Sequence, residues 1–359
     1  MRLPCYTLCC FNCETGEIFG DTQMEPDYRN ILKYLDTIRT RHGDARFICG
    51  YEAGCLGYSL YNHLATHGIE CVILAPTTMP ETKKKKKIKT DKRDAMKIAN
   101  CLAYNTYSAV NVPTATDNAV KEYIRMRNDV KDTLKRTKQQ ILAFCTRHGK
   151  RFNEGSNWTT KHETWLNKLD IGNPVLQETL QEYLILYNQT CDKIALYDKR
   201  IEEFAQREEY VDNVKKLTCF IGIKVHTALS IIVETGDFTR FPKAENYASF
   251  LGLVPGEDSS GESVQRNGIT KAGNSQVRKL LIESANCYSR GAVGNKSKTL
   301  IARQAGNDSK VIAYADRANE RLKRKFYRIN FRSKRNIAVV AVARELACFV
   351  WGMMTDNVA

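Results

Sequence analysis

No export signal and no apolar run of membrane-spanning length can be read in the 359 residues of this chain, so a cytoplasmic protein is expected and a membrane protein is not. Zinc-site spacing is missing as well. Of thirteen cysteines, Cys5, Cys9, Cys10 and Cys13 include one C-x-x-C, but no second Cys/His pair of matching spacing accompanies it. Scattered through apolar segments of a long chain, the thiols are expected to be reduced and packed inside. Acidic residues are in deficit, 40 Asp and Glu against 55 Lys and Arg, leaving a formal charge of +15. A surface of that sign attracts nucleic acid or another polyanion.

What is present is a pair of acids set among cations. Asp91 and Asp94 lie in Lys89-Thr90-Asp91-Lys92-Arg93-Asp94-Ala95, just after the lysines Lys83 to Lys87. On a helix, positions i and i+3 share a face, so both carboxylates can reach one hard divalent cation. Two readings are open. Thr90 is a good N-cap, and the helix dipole alone favours acids in a first turn. Alternatively the acids hold a metal suited to phosphoryl transfer, with Lys89 and Lys92 beside them as phosphate contacts. Glu52 favours the second reading, because it ends Arg46-Phe47-Ile48-Cys49-Gly50-Tyr51-Glu52, whose composition suits a buried strand.

Periodicity organises the rest into three regions. In residues 1–113 a hairpin is expected from Tyr6 to Phe11 and Glu17 to Thr22, then a helix from Tyr28 to Arg41, the strand ending at Glu52, a helix near Leu56 to Thr66, a strand from Glu70 to Leu74, and a helix from Asp91 to about Ala103. In residues 114–210, helices from Asp117 to Arg147 and from Pro174 to about Gln206 flank a break rich in Gly and Asn. They read as an antiparallel arm or coiled coil, either a plain spacer or an oligomerisation element. Residues 211–359 open on Leu217 to Lys224, where the turn at Gly222 reads either as an ordinary helix-helix turn or as a helix-hairpin-helix phosphate contact.

Two basic stretches complete the inventory. Lys271 and Arg278 flank the start of a helix, as phosphate ligands or as a solvated face. Arg321-Leu322-Lys323-Arg324-Lys325-Phe326-Tyr327-Arg328, continuing to Arg332, Lys334 and Arg335, interleaves cations with aromatics, as a nucleic-acid-binding helix would.

Taken in order, Tyr51-Glu52-Ala53-Gly54, the Lys-Thr-Asp-Lys-Arg-Asp-Ala stretch, Phe241, Leu251-Gly252-Leu253-Val254-Pro255, Ser259-Ser260-Gly261, and Ile269 to Asn274 with Arg278 resemble transposases of the IS110 family. The resemblance covers nearly the whole chain. It implies an α/β RNase H-like (RuvC-like) N-terminal domain with an acidic metal site, a helical coiled-coil arm, and a mostly α C-terminal domain with a catalytic serine. By that resemblance Glu52, Asp91 and Asp94 would bind Mg2+, and Ser259 or Ser260 would attack a DNA phosphodiester, with Ser260 favoured because it directly precedes Gly261. A serine hydroxyl needs activation, and no histidine lies near Ser259 in sequence. The resemblance further implies DNA, a structured guide RNA and other copies of the chain, as a dimer or tetramer, as partners.

One departure bears on activity. The family's fourth acid is an Asp on a strand preceding the one that resembles Tyr6 to Phe11, and residues 1–5 contain no acid. Impaired strand exchange is therefore expected. The alternatives are a RuvC-like junction nuclease that needs no serine and a nucleic-acid-binding remnant without catalysis.

Overall fold

The computed structural model describes residues 5–43, 45–54, 56–80, 90–260 and 263–358, with the backbone alone described for 77, 257–260 and 263–266. Two compact units divide the chain, Met1–Val112 and Pro113–Ala359.

In the first unit, β1 (Tyr6–Phe11) and β2 (Ile18–Met24) form an antiparallel hairpin running from Tyr6 opposite Met24 to Phe11 opposite Ile18. The Asn12 side chain makes the turn, accepting from the backbone N–H groups of Glu14 and Thr15. Helix α1 (Tyr28–His42) buries Ile31, Leu35 and Ile38, one face at 3.6-residue spacing. After it come β3 (Ile48–Glu52), α2 (Ser59–Thr66) and β4 (Glu70–Leu74), with β3 and β4 parallel and Glu52 opposite Leu74. Helix α3 (Asp91–Ala103) closes the unit.

Strand alternation puts Tyr6 and Leu8 of β1 and Cys49 and Tyr51 of β3 into one core with α1 and α2. The opposite faces of β1 and β3 pack on α3. There the Phe11 and Tyr104 rings meet edge to face at 5.6 Å, and Gly50 leaves room for Leu102, whose Cδ1 would lie 2.7 Å from a Cβ at that position. The same two helical layers thus cover both strand pairs, yet the pairs are separate two-stranded sheets, and no β1–β3 ladder exists among the described residues. The expectation of α/β layering holds in this unit; a single continuous RNase H-like sheet is not what the described strands form.

In the second unit, α4 (Ala115–Arg147) and α6 (Pro174–Ala205) run antiparallel as an arm. Thr114 caps the first, and Asn173 with Pro174 starts the second. The Gly- and Asn-rich break, read from sequence as a linker, holds a further helix, α5 (Thr160–Lys168). Its His162 is fully buried with Nδ1 accepting from the Trp158 N–H at 3.1 Å, and the surrounding rings of Phe152, Trp158 and Trp165 cap the arm's tip.

At the arm's base Val120, Ile124, Ile201 and Phe204 enter the large core of the C-terminal helices, so arm and C-terminal region share one interior. That region comprises α7 (Val211–Thr218), α8 (Val225–Thr235), α9 (Ala244–Phe250), an antiparallel hairpin of β5 (Pro255–Ser260) and β6 (Ser263–Ile269), then α10 (Ser275–Ala285), α11 (Lys298–Gln304), α12 (Ser309–Arg332) and α13 (Arg335–Met354). Helix α13 corrects the sequence reading, which found no apolar segment of membrane length. Its 20 residues are long and apolar enough by composition, but half of that stretch is buried against the other helices, as in the central helix of a core.

Two imidazoles in this unit are held neutral. Burial pushes His162 below its ordinary value, and at His226 burial, then the nearby Arg127 guanidinium, pushes it down to about 4. Because a depressed base binds its proton only after unfolding, stability is complete above the unfolded value of about 6.5 and falls as pH drops towards 4. For His226 the loss reaches at most about 3 kcal/mol by pH 4. All three tryptophans, Trp158, Trp165 and Trp351, lie in the second unit, so their fluorescence reports its unfolding. Urea midpoints followed this way should drop between pH 7 and pH 5, and His226→Gln should flatten the dependence; an unchanged slope in the variant would refute the assignment.

Candidate active site

Thr90 caps α3 in the manner the sequence suggests, its Oγ1 accepting from the Arg93 N–H. Asp91 then stands exposed in the first turn and Asp94 half-buried one turn on. Glu52 ends β3, where the Ala53 N–H donates to the Leu74 carbonyl at 2.9 Å. Lys92 is engaged within the unit, in an ion pair with Asp21 on β2, a carboxylate that sequence reading did not single out. With Lys92 against β2 at one end and Tyr104 on Phe11 at the other, α3 is fixed across the hairpin.

Asp91 and Asp94 offer the hard oxygen donors Mg2+ prefers from one helix face. No group of three or more acids, histidines or cysteines poised to hold a metal occurs among the described residues, so Glu52 is not gathered with them. The described donors thus fall short of a complete metal-binding set. Lys89 and Lys83 to Lys87 lie outside the described residues.

The serines sit on a strand. Ser259 pairs with Val264 and Ser260 with Ser263, at the far end of the β5–β6 hairpin. The composition of Ser259 and Ser260 with Gly261 alone would suit a turn, because Ser and Gly populate loops. The hairpin's base is interlocked with the end of α9. Backbone N–H groups of Thr270, Lys271 and Asn274 donate to the carbonyls of Val254, Gly252 and Phe250 at 2.9, 3.1 and 3.0 Å. A Cβ at Gly252 would lie 2.3 Å from the Ala272 oxygen, and one at Gly273 2.0 Å from the Phe250 oxygen, with both residues at positive φ. Only glycine fits backbones this close.

Asn274 ties this base to the arm. Its Oδ1 caps α10 by accepting from the Val277 N–H, and its Nδ2 donates to Glu234 Oε2 at 2.9 Å. Glu234, with a side chain 5% exposed, receives both Nε and Nη2 of Arg125 on α4, at 2.8 and 3.0 Å. Sequence reading missed this network, since its members are 40 and 109 residues apart. Beside it Arg240 stacks on the rings of Phe241 and Phe250 at 4.3 and 4.7 Å.

Several residues expected as nucleic-acid contacts make bonds or close contacts within the chain. Arg278 donates to the Leu251 carbonyl at 2.8 Å. Gly222 is a packing glycine: a Cβ there would lie 2.5 Å from the Ser284 oxygen, its own carbonyl accepts from Ser284 Oγ, and the Ile221 N–H is taken by Asn319. Lys323 is buried, with Nζ donating to the Ala292 carbonyl at 2.9 Å, so the solvent-facing role expected for it is corrected. Lys325 and Arg321 both clasp Glu345 of α13. Arg324 and Lys271 are exposed. The exposed part of the basic segment is the junction of α12 and α13, where Arg328, Arg332, Lys334 and Arg335 lie within four residues of Phe331, 90% exposed.

Two family patterns match this chain, one described as "Transposase" of the DEDD IS110 type over residues 7–148 and one as "Transposase IS116/IS110/IS902 family" over residues 214–302. A putative transposase y4qE of Sinorhizobium fredii is 34% identical over 95% of this chain and 83% of its own length. The transposase for insertion sequence element IS1533 of Leptospira borgpetersenii is 30% identical over 89% and 92%. The chain belongs to the IS110 transposase family. The transposase for element IS1111A of Coxiella burnetii, 26% identical over 61% of the chain and 62% of its own, is a more distant relative. In IS110-family terms the first pattern contains Glu52, Asp91 and Asp94, and the second contains both serines and the interlocked glycines. DEDD membership implies an RNase H-like fold and divalent-metal dependence.

The interlock yields a prediction. Gly273→Ala should destabilise the second unit by about 2 kcal/mol or more, ~4–8 °C in Tm by tryptophan fluorescence. Gly268→Ala on β6, where a Cβ meets nothing within 4 Å, should change Tm by no more than about 2 °C. Equal shifts would show that the close approach is not what the glycine serves.

Proposed function

We propose that this IS110-family transposase exchanges DNA strands through a serine on β5, Ser260 with Ser259 as its neighbour, under guidance by an element-encoded structured RNA. The observation that carries this reading is the β5–β6 hairpin, a serine pair at the tip of a strand whose base is locked by Gly252, Gly273 and Asn274. A serine pair on a strand that ends a hairpin suits the presentation of a nucleophile to a large substrate. Glu52, Asp91 and Asp94 are the residues that would hold Mg2+, whose service in this chemistry is to neutralise phosphate charge. Lys271 and Arg324, with the junction around Phe331, supply phosphate contacts and a stacking surface.

A catalytically silent nucleic-acid-binding protein is the competing reading, favoured by one observation: the described acids do not gather into a three-ligand set. We infer that a fourth carboxylate on a strand lying between β1 and β3 would complete the site, since both strands share covering helices without a ladder between them.

The deciding experiment is covalent trapping on the element's own DNA with its RNA and Mg2+, comparing this chain with one fused to an Asp-bearing strand ahead of β1. A protein-DNA adduct that disappears in Ser260→Ala and persists in Ser259→Ala supports the nucleophile assignment. An adduct from the fused chain alone supports the missing carboxylate. Cleavage that survives both substitutions together would instead mean a junction nuclease, and binding without cleavage in every chain a silent binder. Independently, Phe331→Ala should weaken single-stranded nucleic-acid binding about 5-fold or more in a filter-binding titration; unchanged affinity removes that junction from the interface.

A further inference from the structure

Helix α4 pairs its charge at one end and shows it at the other. Near the arm's base Arg125 and Arg127 are bound to Glu234 and Asp198. Towards the tip, residues 133–153 contain six lysines and arginines and no Asp or Glu. Lys138 among them lies over the rings of Trp158 and Tyr187, at 4.9 and 5.5 Å. The others are Lys135, Arg136, Arg147 and Arg151, all exposed, and Lys150, half-buried. Among the described residues none of these is held in an ion pair. Arg136 makes a local bond to Thr133 Oγ1 at 3.2 Å.

Helix geometry draws a line through them. Arg136, Gln139, Gln140, Ala143 and Arg147 follow at steps of three and four, so they share the exposed face turned away from the buried Thr137, Ile141, Phe144 and Cys145. The helix dipole accounts for cations in and just after the last turn, Arg147, Lys150 and Arg151. It does not account for Lys135 and Arg136, three turns earlier. From Arg136 to Arg147 the line runs ~17 Å at 1.5 Å per residue, about five phosphate steps of one DNA strand. Between the cations stand two amides and a methyl group, which can lie against a sugar-phosphate backbone, and no aromatic ring on which a base could stack. A polyanion whose bases are already paired fits this face, in contrast to the exposed Phe331. The polyanion that membership of a transposase family implies is DNA.

We propose that the distal half of α4 is a docking surface for duplex DNA, with Lys135, Arg136 and Arg147 on the phosphates. The inference rests on family membership and not on the serine chemistry, so it stands whether or not the chain cleaves DNA.

Binding of the full chain to duplex DNA of arbitrary sequence, without RNA or Mg2+, tests it when fluorescence anisotropy is followed across a range of NaCl. The triple variant Lys135→Gln, Arg136→Gln, Arg147→Gln should bind at least about tenfold more weakly at low salt. Its plot of log affinity against log salt should be shallower by about two to three, since each phosphate contact contributes ~0.9 to the slope. Its Tm should stay within about 2 °C of the parent's, because all three side chains are exposed. Affinity for single-stranded DNA should fall by less than about threefold, the stacking surface at Phe331 being untouched. Glu178→Gln with Glu182→Gln, on exposed positions of α6, should leave duplex affinity within about twofold. A benzoylphenylalanine at position 143 should crosslink to the duplex. A parent chain that does not bind duplex DNA, an unchanged salt slope in the triple variant, an equal or larger loss on single strands or on base-paired RNA, or crosslinks from position 143 to protein alone would each overturn the proposal.

Discussion

Everything that presents the serine strand depends on one close approach of backbone to backbone. Gly252 and Gly273 let the segment after α9 and the segment before α10 lie closer than any side chain allows. Three backbone hydrogen bonds then close the interlock. The consequence is directional: β5 and β6 leave as a hydrogen-bonded antiparallel pair, and α10 starts at a fixed point with Asn274 as its cap. Neither hydrophobic burial nor helix propensity alone gives that precision, because both tolerate shifts of a fraction of an ångström that a bond of backbone to backbone does not.

Charge in this protein is spent inside as much as it is shown to solvent. Lys92 is held by Asp21, Lys325 and Arg321 by Glu345, and Lys323 by a carbonyl. The net charge of +15 therefore overstates the cation available to a polyanion on these helices. What stays open is local, the α12–α13 junction with its exposed Phe331. An exposed aromatic ring in a basic segment suits unpaired bases better than a duplex groove, because an unpaired base offers its face for stacking.

The sequence was most legible where a local rule decides the outcome. Asp91 to Ala103 is helical as read because Thr90 caps it and an apolar face recurs, and Glu70–Leu74 is a strand as read because a short apolar run stops at Pro76. Ser259 and Ser260 were findable as candidates but not as strand residues, since their composition is that of a turn and the partner strand supplies the ladder. Lys323 looked like its neighbours in a basic run, yet helical phase sets it beside Leu322 and Phe326 on the buried face. Glu234, Arg125 and Asn274 could not be joined from sequence at all, because only the tertiary fold brings α4, α8 and the start of α10 together.

That last network connects the arm to the serine hairpin through polar bonds rather than through packing alone. Arg125, on α4, grips Glu234 with two nitrogens, and Glu234 in turn holds the amide of Asn274. Asn274 is at once the cap of α10 and a strut of the interlock. A nearly buried carboxylate stripped of a partner is costly, so the three groups keep their relative geometry as a unit. Displacing α4 against α8 would have to break these bonds or carry Asn274 along, and the hairpin base with it. The arm is in this sense no detachable spacer, because its base and the mount of the serines are parts of one hydrogen-bonded structure.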